Sequence, residues 1–375
     1  MCRAAKKAGC SLTGDIPMFR YFFLFFVTAL FSHLASADVG FRQFTLNNGD
    51  DRATDVTLWY PTSDKGKSAQ VGENRVFLGT PALNDAQPIA QPIAQPHPLL
   101  LLSHGYGGNW RNLNWLASGM AQQGYIVAAI DHPGTTTRNK DKLAAQQLWQ
   151  RPHDLTLLLS HLLKKPELAG PVDPERIAAV GHSLGGWTVI ELAGGKFSTD
   201  RFLADCKIHQ ALGGCKLAQV LGIDKPESRA PLAVSQRDGR IKAVVSLDLG
   251  LARGFTPESL AQISLPVLVM AAQADSNDVP ARLESGYLFD SLPKNRRHYV
   301  SVAGATHFSF MQVCKPGAVA LIEAQDPGDG IVCRDGGSLS RQVIHQQLFM
   351  TISQFLNQTL RYQPPHGDNH QGSSR

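Results

Sequence analysis

Short apolar runs alternate with amphipathic stretches along most of this chain, and each run reads as a strand. Val39 to Leu46 and Asp55 to Tyr60 read as two opening strands. In the second, Val56, Leu58 and Tyr60 alternate with polar or smaller residues, as expected of a half-buried edge. A proline-rich passage from Asn84 to Pro98 follows, with Gln87-Pro88-Ile89-Ala90 repeated at Gln91-Pro92-Ile93-Ala94, and reads as an extended, exposed spacer. The continuous run Leu99 to Leu102 predicts a strand buried on both faces, ending in Ser103-His104-Gly105-Tyr106-Gly107-Gly108. A helix is expected over Asn109 to Gln123, closed by Gly124. The next strand, Tyr125 to Ile130, ends in Asp131-His132-Pro133-Gly134, and Asp154 to Lys165 reads as an amphipathic helix. Arg176 to Val180 is a strand leading into Gly181-His182-Ser183-Leu184-Gly185-Gly186.

Periodicity is then lost between Gly195 and Gly239, an insertion after the helix that follows Ser183 and a candidate lid or binding element. Ile241 to Leu247 is a strand ending at Asp248, and Val267 to Ala271 one leading to Gln273-Ala274-Asp275. Arg282 to Leu292 reads as a helix and Tyr299 to Val302 as a last short strand before Gly304-Ala305-Thr306-His307. A second excursion carries Cys314 and Cys333, a closing helix runs from Ser340 to Leu360, and the polar tail, residues 363–375, reads as disordered. Its His366 and His370 suggest weak metal affinity at most. This alternation predicts an α/β fold: a mostly parallel central sheet with helices on both faces. Ligands of such sheets sit at the carboxyl ends of the strands, where His104 to Gly108, Ser183, Asp248, Asp275 and His307 all fall.

Composition narrows the setting. Hydrophobic residues make up 43% and charged residues 18%, enough for a large core. The net charge of +5 is spread without a basic run interleaved with aromatics, so nucleic acid is not an expected partner. Arg20 precedes the apolar run Tyr21 to Phe31, and Ala35-Ser36-Ala37 offers small residues for cleavage. Residues 1–37 therefore read as a signal peptide, too short for a comfortable membrane span, ahead of a domain over 38–362. The expected product is secreted or periplasmic, without a stable membrane span, and monomeric. Four cysteines remain after cleavage: Cys206, Cys215, Cys314 and Cys333. In an exported chain an even count suggests two disulfides; three connectivities exist, of which the local one would staple two loops. None of the spacings resembles a zinc site, and no metal or organic cofactor is expected.

Gly181-x-Ser183-x-Gly185 between a strand and a helix has the form of a nucleophile elbow. Serine needs a base to take its proton, and histidine suits this because its pKa lies near neutrality. His307, on a loop after the last strand, is the candidate base; His104 and His182 read as structural or orienting residues, and His132 as a possible pocket residue. Asp275 is the first choice for the acid behind His307, with Asp248 as the alternative and Asp278 a weaker third. The main-chain N–H groups of Leu184 and Tyr106 are candidate donors to an oxyanion.

The chain resembles the α/β-hydrolases. It is particularly similar to the exported bacterial dienelactone-hydrolase-like proteins related to platelet-activating-factor acetylhydrolases. The matching residues are Leu58-Trp59-Tyr60-Pro61, Ser103 to Gly108, Asp131 to Gly134, Gly181 to Gly186, Ala243 to Asp248 and Gly304 to Phe308. The resemblance implies hydrolysis of carboxylic esters, small-molecule or lipid, through an acyl-serine and without a cofactor. Amide hydrolysis by the same residues, or a silent binding protein on the same fold, are the alternatives. Dienelactone hydrolases themselves carry cysteine where Ser183 stands. In the acetylhydrolases the acid follows the strand that here ends at Asp248, whereas in cutinase-like relatives it follows the next strand, matching Asp275.

Overall fold

A computed structural model describes residues 38–47, 52–89, 95–274 and 276–364. The expected signal peptide over 1–37, most of the tail, and Asp275 lie outside the described residues.

Among the described residues, ten strands form the sheet: β1 Asp38–Leu46, β2 Thr54–Thr62, β3 Ala69–Val71, β4 Thr80–Asn84, β5 His97–Ser103, β6 Ile126–Asp131, β7 Val172–His182, β8 Ala243–Leu247, β9 Val267–Ala272 and β10 Arg297–Val302. Their spatial order is β10-β9-β8-β7-β5-β6-β2-β1-β4-β3. Strands β5 to β10 are mutually parallel. β2 runs antiparallel to both β6 and β1. It is therefore an inner strand, not the edge its alternation suggests: Leu58, Trp59 and Tyr60 are all buried. Thr57, a polar position in that alternation, is buried and accepts from Gln43; Thr62, at the end of β2, is buried too and donates to the Gln87 carbonyl.

The helices are α1 Asn114–Gln122, α2 Lys142–Ala145, α3 Gln150–Lys164, α4 Leu184–Ala193, α5 Thr199–Ile208, α6 Gly213–Leu217, α7 Arg229–Ala233, α8 Pro257–Leu260, α9 Ser285–Ser291, α10 Ala318–Gln325 and α11 Arg341–Thr359. Two apolar cores result, one on each face of the sheet. Leu99 and Leu101 of β5 enter the core shared with α3 and α4. Leu100 and Leu102 enter the core shared with α1 and α11. A strand whose successive side chains both meet a helical layer needs an unbroken apolar run, and β5 has one.

The stretch 195–239 folds into α5, α6 and α7. Its helices are short and broken by Gly and Pro, so no 3.6-residue period survives in the sequence. Phe197, Phe202, Leu221 and Leu232 nonetheless join the core beside α4. Both local disulfides form, Cys206–Cys215 within this segment and Cys314–Cys333 in the second excursion. No helix of the described residues is long and apolar enough to cross a membrane.

Candidate active site

β7 delivers Ser183. The serine has φ 56° and ψ −119°, and its N–H donates to the Leu247 carbonyl at 2.9 Å. Such a backbone is strained for a residue with a side chain and is held by its surroundings. The flanking glycines are required by contact. A Cβ on Gly181 would lie 1.9 Å from the Gly185 carbonyl oxygen, and one on Gly185 would lie 1.9 Å from that of Ser103. The chain on both sides of the serine is thus pressed against neighbouring main chain.

β10 delivers His307, the first residue of a 3-10 turn reaching Phe310. Thr306 and Ser309 cap that turn reciprocally. Ser183 Oγ donates to His307 Nε2 at 3.0 Å, and His307 Nδ1 donates to Asp248 Oδ2 at 2.7 Å. Asp248 directly follows β8. Its other oxygen accepts the Ala272 N–H at 2.8 Å, and its own N–H donates to the Met270 carbonyl at 2.7 Å. The carboxylate is 1% exposed and the imidazole 13%. Of the two candidate acids, Asp248 therefore occupies the one hydrogen His307 offers at Nδ1, while Asp275 lies outside the described residues. Asp278 is on the surface, bonded to Lys216.

His182 donates from Nε2 to the His307 carbonyl at 2.8 Å, and its ring lies 4.8 Å from that of His307. Burial, reinforced by His307, pushes its pKa down to about 3, so it is neutral and anchors the turn that carries His307. His104 is fixed by both ring nitrogens. Nε2 accepts the His132 N–H at 3.0 Å, which leaves Nδ1 as the donor, and Nδ1 meets the Gly105 carbonyl at 2.7 Å. That carbonyl also accepts the Gly108 N–H at 3.1 Å. It belongs to the same planar peptide as the Tyr106 N–H, so holding the oxygen fixes the direction of the hydrogen on the opposite side. No acceptor among the described residues takes the N–H of Tyr106 or of Leu184, the first residue of α4.

Small-molecule sites typically span roughly 300 to 1,000 Å³, and the cavity at Ser183 measures about 570 Å³. Ser183 and His307 open onto it beside Tyr106, and Phe308, Met311, Ile331 and Val332 give it apolar walls. Lys140, Asp326 and Asp329 supply charge. None of the lining residues comes from 195–239; the excursion closed by Cys314–Cys333 forms the wall instead. The sequence marks 195–239 as the candidate lid or binding element, but lost periodicity says nothing about which excursion faces the serine.

His132 does not line the cavity. It is wholly buried, with Nδ1 on Asp154 Oδ2 at 2.9 Å and Nε2 on Ser103 Oγ at 3.0 Å. Burial, with Arg151 and Arg52 nearby, pushes its pKa well below the ordinary range. Arg52 grips Asp154 with two bonds of 2.9 Å. This buried group was invisible to the sequence analysis, which read the region as an ordinary amphipathic helix.

The strand order, the elbow after β7 and the Ser183–His307–Asp248 arrangement define the α/β-hydrolase fold. Residues 94–201 match the family model Hydrolase_4, described as serine aminopeptidase, S33. The chain is similar to Cutinase 1 of Thermobifida cellulosilytica, at 24% identity over 215 residues, covering 56% of this chain and 59% of that protein. It is also similar to cutinase est2 of Thermobifida alba, at 32% over 96 residues, covering 25% and 29%. Alignment thus spans less than two thirds of the curated relatives' length. A solved ferulic acid esterase from Streptomyces cinnamoneus superposes with a TM-score of 0.60 at 20% identity, over 88% of this chain and 92% of that one, a likeness of fold.

Proposed function

We propose that this protein hydrolyses carboxylic esters through an acyl-serine intermediate. The observation that carries the reading is the continuous hydrogen-bonded series from Ser183 Oγ through His307 to Asp248, opening onto a cavity. Ser183 Oγ attacks the ester carbonyl carbon while His307 Nε2 takes its proton. Asp248 keeps the remaining proton on Nδ1 and stabilises the imidazolium that forms. The negative oxygen of the tetrahedral species accepts from the N–H groups of Tyr106 and Leu184. Collapse expels the alcohol, protonated by His307, and leaves the acyl group on Ser183. Water, deprotonated by His307, then releases the acid and restores the serine.

The names of the similar proteins, cutinases and a ferulic acid esterase, favour esters. The matched model's description as a serine aminopeptidase makes amides the second reading, on the same three residues. Within the fold, the motifs favour the exported branch related to platelet-activating-factor acetylhydrolases. Two disulfides fit an oxidising compartment and, with the apolar run before Ala37, support export after cleavage of residues 1–37.

The test is the purified protein against p-nitrophenyl esters of increasing acyl length and matching p-nitroanilides. Ester turnover is expected to exceed anilide turnover, and Ser183→Ala to lower kcat by about 10⁴-fold or more with an unchanged far-ultraviolet spectrum. Full ester turnover by that variant overturns the reading.

A further inference from the structure

Arg151, in the first turn of α3, is 1% exposed and none of its hydrogen bonds goes to a carboxylate. Its guanidinium reaches three segments instead. Nε donates to Thr188 Oγ1 at 3.0 Å, and Nη1 to Thr135 Oγ1 at 2.5 Å. Nη2 donates to Ser103 Oγ at 3.2 Å and to the His104 carbonyl. Burial lowers its pKa to about 9, so it is still a cation at neutral pH. A buried cation aimed at neutral acceptors is a poor way to gain stability, because desolvation exceeds what neutral partners return.

The three segments are those that surround the reacting carbonyl. His104 precedes the Gly105–Tyr106 peptide. Thr188 lies one turn into α4, and its hydroxyl donates to the Leu184 carbonyl at 3.0 Å. Thr135 lines the cavity, and its carbonyl accepts the Gly107 N–H at 2.9 Å. One planar, rigid fork thus ties the loop bearing one oxyanion donor to the helix bearing the other. The nearest carboxylate, Asp154 one turn on and directly paired with Arg52, is reached only through a directed series: Arg151 donates to Ser103, Ser103 to His132 and His132 to Asp154. These last three residues repeat the serine–histidine–aspartate grouping of the surface site. They are sealed from solvent, so they hold rather than react.

We propose that Arg151 is a positioning residue that sets the separation of the Tyr106 and Leu184 N–H donors. This rests on the hydrolytic reading above. The experiment compares Arg151→Lys, Thr188→Val and Thr188→Ser with the parent, each normalised by titrating Ser183 with a fluorophosphonate. A lysine offers a single point charge and cannot span the fork. Arg151→Lys is expected to lower kcat per titrated site about a hundredfold, with KM within about threefold, as for a donor displaced by roughly 1 Å. Thr188→Val is expected to lose about tenfold, and Thr188→Ser, which keeps the hydroxyl, to recover it. Affinity for a trifluoromethyl ketone, which forms the oxyanion, should fall in proportion to kcat. If Arg151→Lys does not fold, the Thr188 pair decides alone. Variants that lose only titratable sites or thermal midpoint, with kcat per site and ketone affinity unchanged, overturn the proposal. A parent without ester turnover, or a fully active Ser183→Ala, would instead remove the reading on which it rests.

Discussion

Asp248 adopts φ 46°, in the left-handed region that aspartate tolerates better than most residues. That turn directs its carboxylate at His307 while the Ala272 N–H holds its second oxygen. The reading of Asp248 as the acid predicts that Asp248→Asn lowers kcat about 10⁴-fold, because the amide favours the wrong histidine tautomer. Asp275→Asn should stay near the parent value in the same assay; the reverse result would return the role to Asp275. From the sequence, Asp275 ranks first and Asp248 second. Both follow neighbouring parallel strands, and the reach of a loop toward a histidine depends on turn geometry that composition does not reveal. Ser183 was legible because close main-chain contacts force small residues around it, leaving a local signature. Arg151 was not, since nothing in a helical period says that a guanidinium turns inward.

Among the elements, α9 shows how burial couples to pH. Glu284 precedes it, is buried, and accepts the Ala252 N–H at 2.7 Å. Burial raises its carboxyl from the ordinary 4.5 to about 7, against the pull of that N–H. The folded state therefore holds this proton more tightly than the unfolded chain. Its stabilising contribution is complete below pH 4.5 and is lost as the pH rises through about 7. Glu284→Gln keeps an acceptor for Ala252 and cannot ionise, so its thermal midpoint should fall less than the parent's between pH 4.5 and 7; parallel curves would contradict this. The strands β5 to β10 were readable from their apolar runs. β3 and β4, of three and five residues, carry too short a pattern to read, and α5 to α7 earn their places by packing beside α4 rather than by periodicity.

On the scale of the molecule, the two disulfides lie on different sides of the functional question. Each closes a short loop and should stabilise by about 3 kcal/mol on a chain-entropy account. Only the Cys314–Cys333 loop contains residues that line the Ser183 cavity, among them Ile331 and Val332. Replacing Cys314 and Cys333 by serine should therefore lower the thermal midpoint and raise KM for bulky esters. Replacing Cys206 and Cys215 should lower the midpoint alone; equal KM values for the two double variants would refute the distinction.

Ser183, Asp248 and His307 follow β7, β8 and β10, and β9 lies between the last two. In the folded sheet, residues 183 and 307 meet across this flank, so their contact is expected to require its strands to be paired in register. Recovery of ester cleavage after dilution from denaturant would thus time the completion of that flank, giving a clock for tertiary assembly that needs no added dye or label.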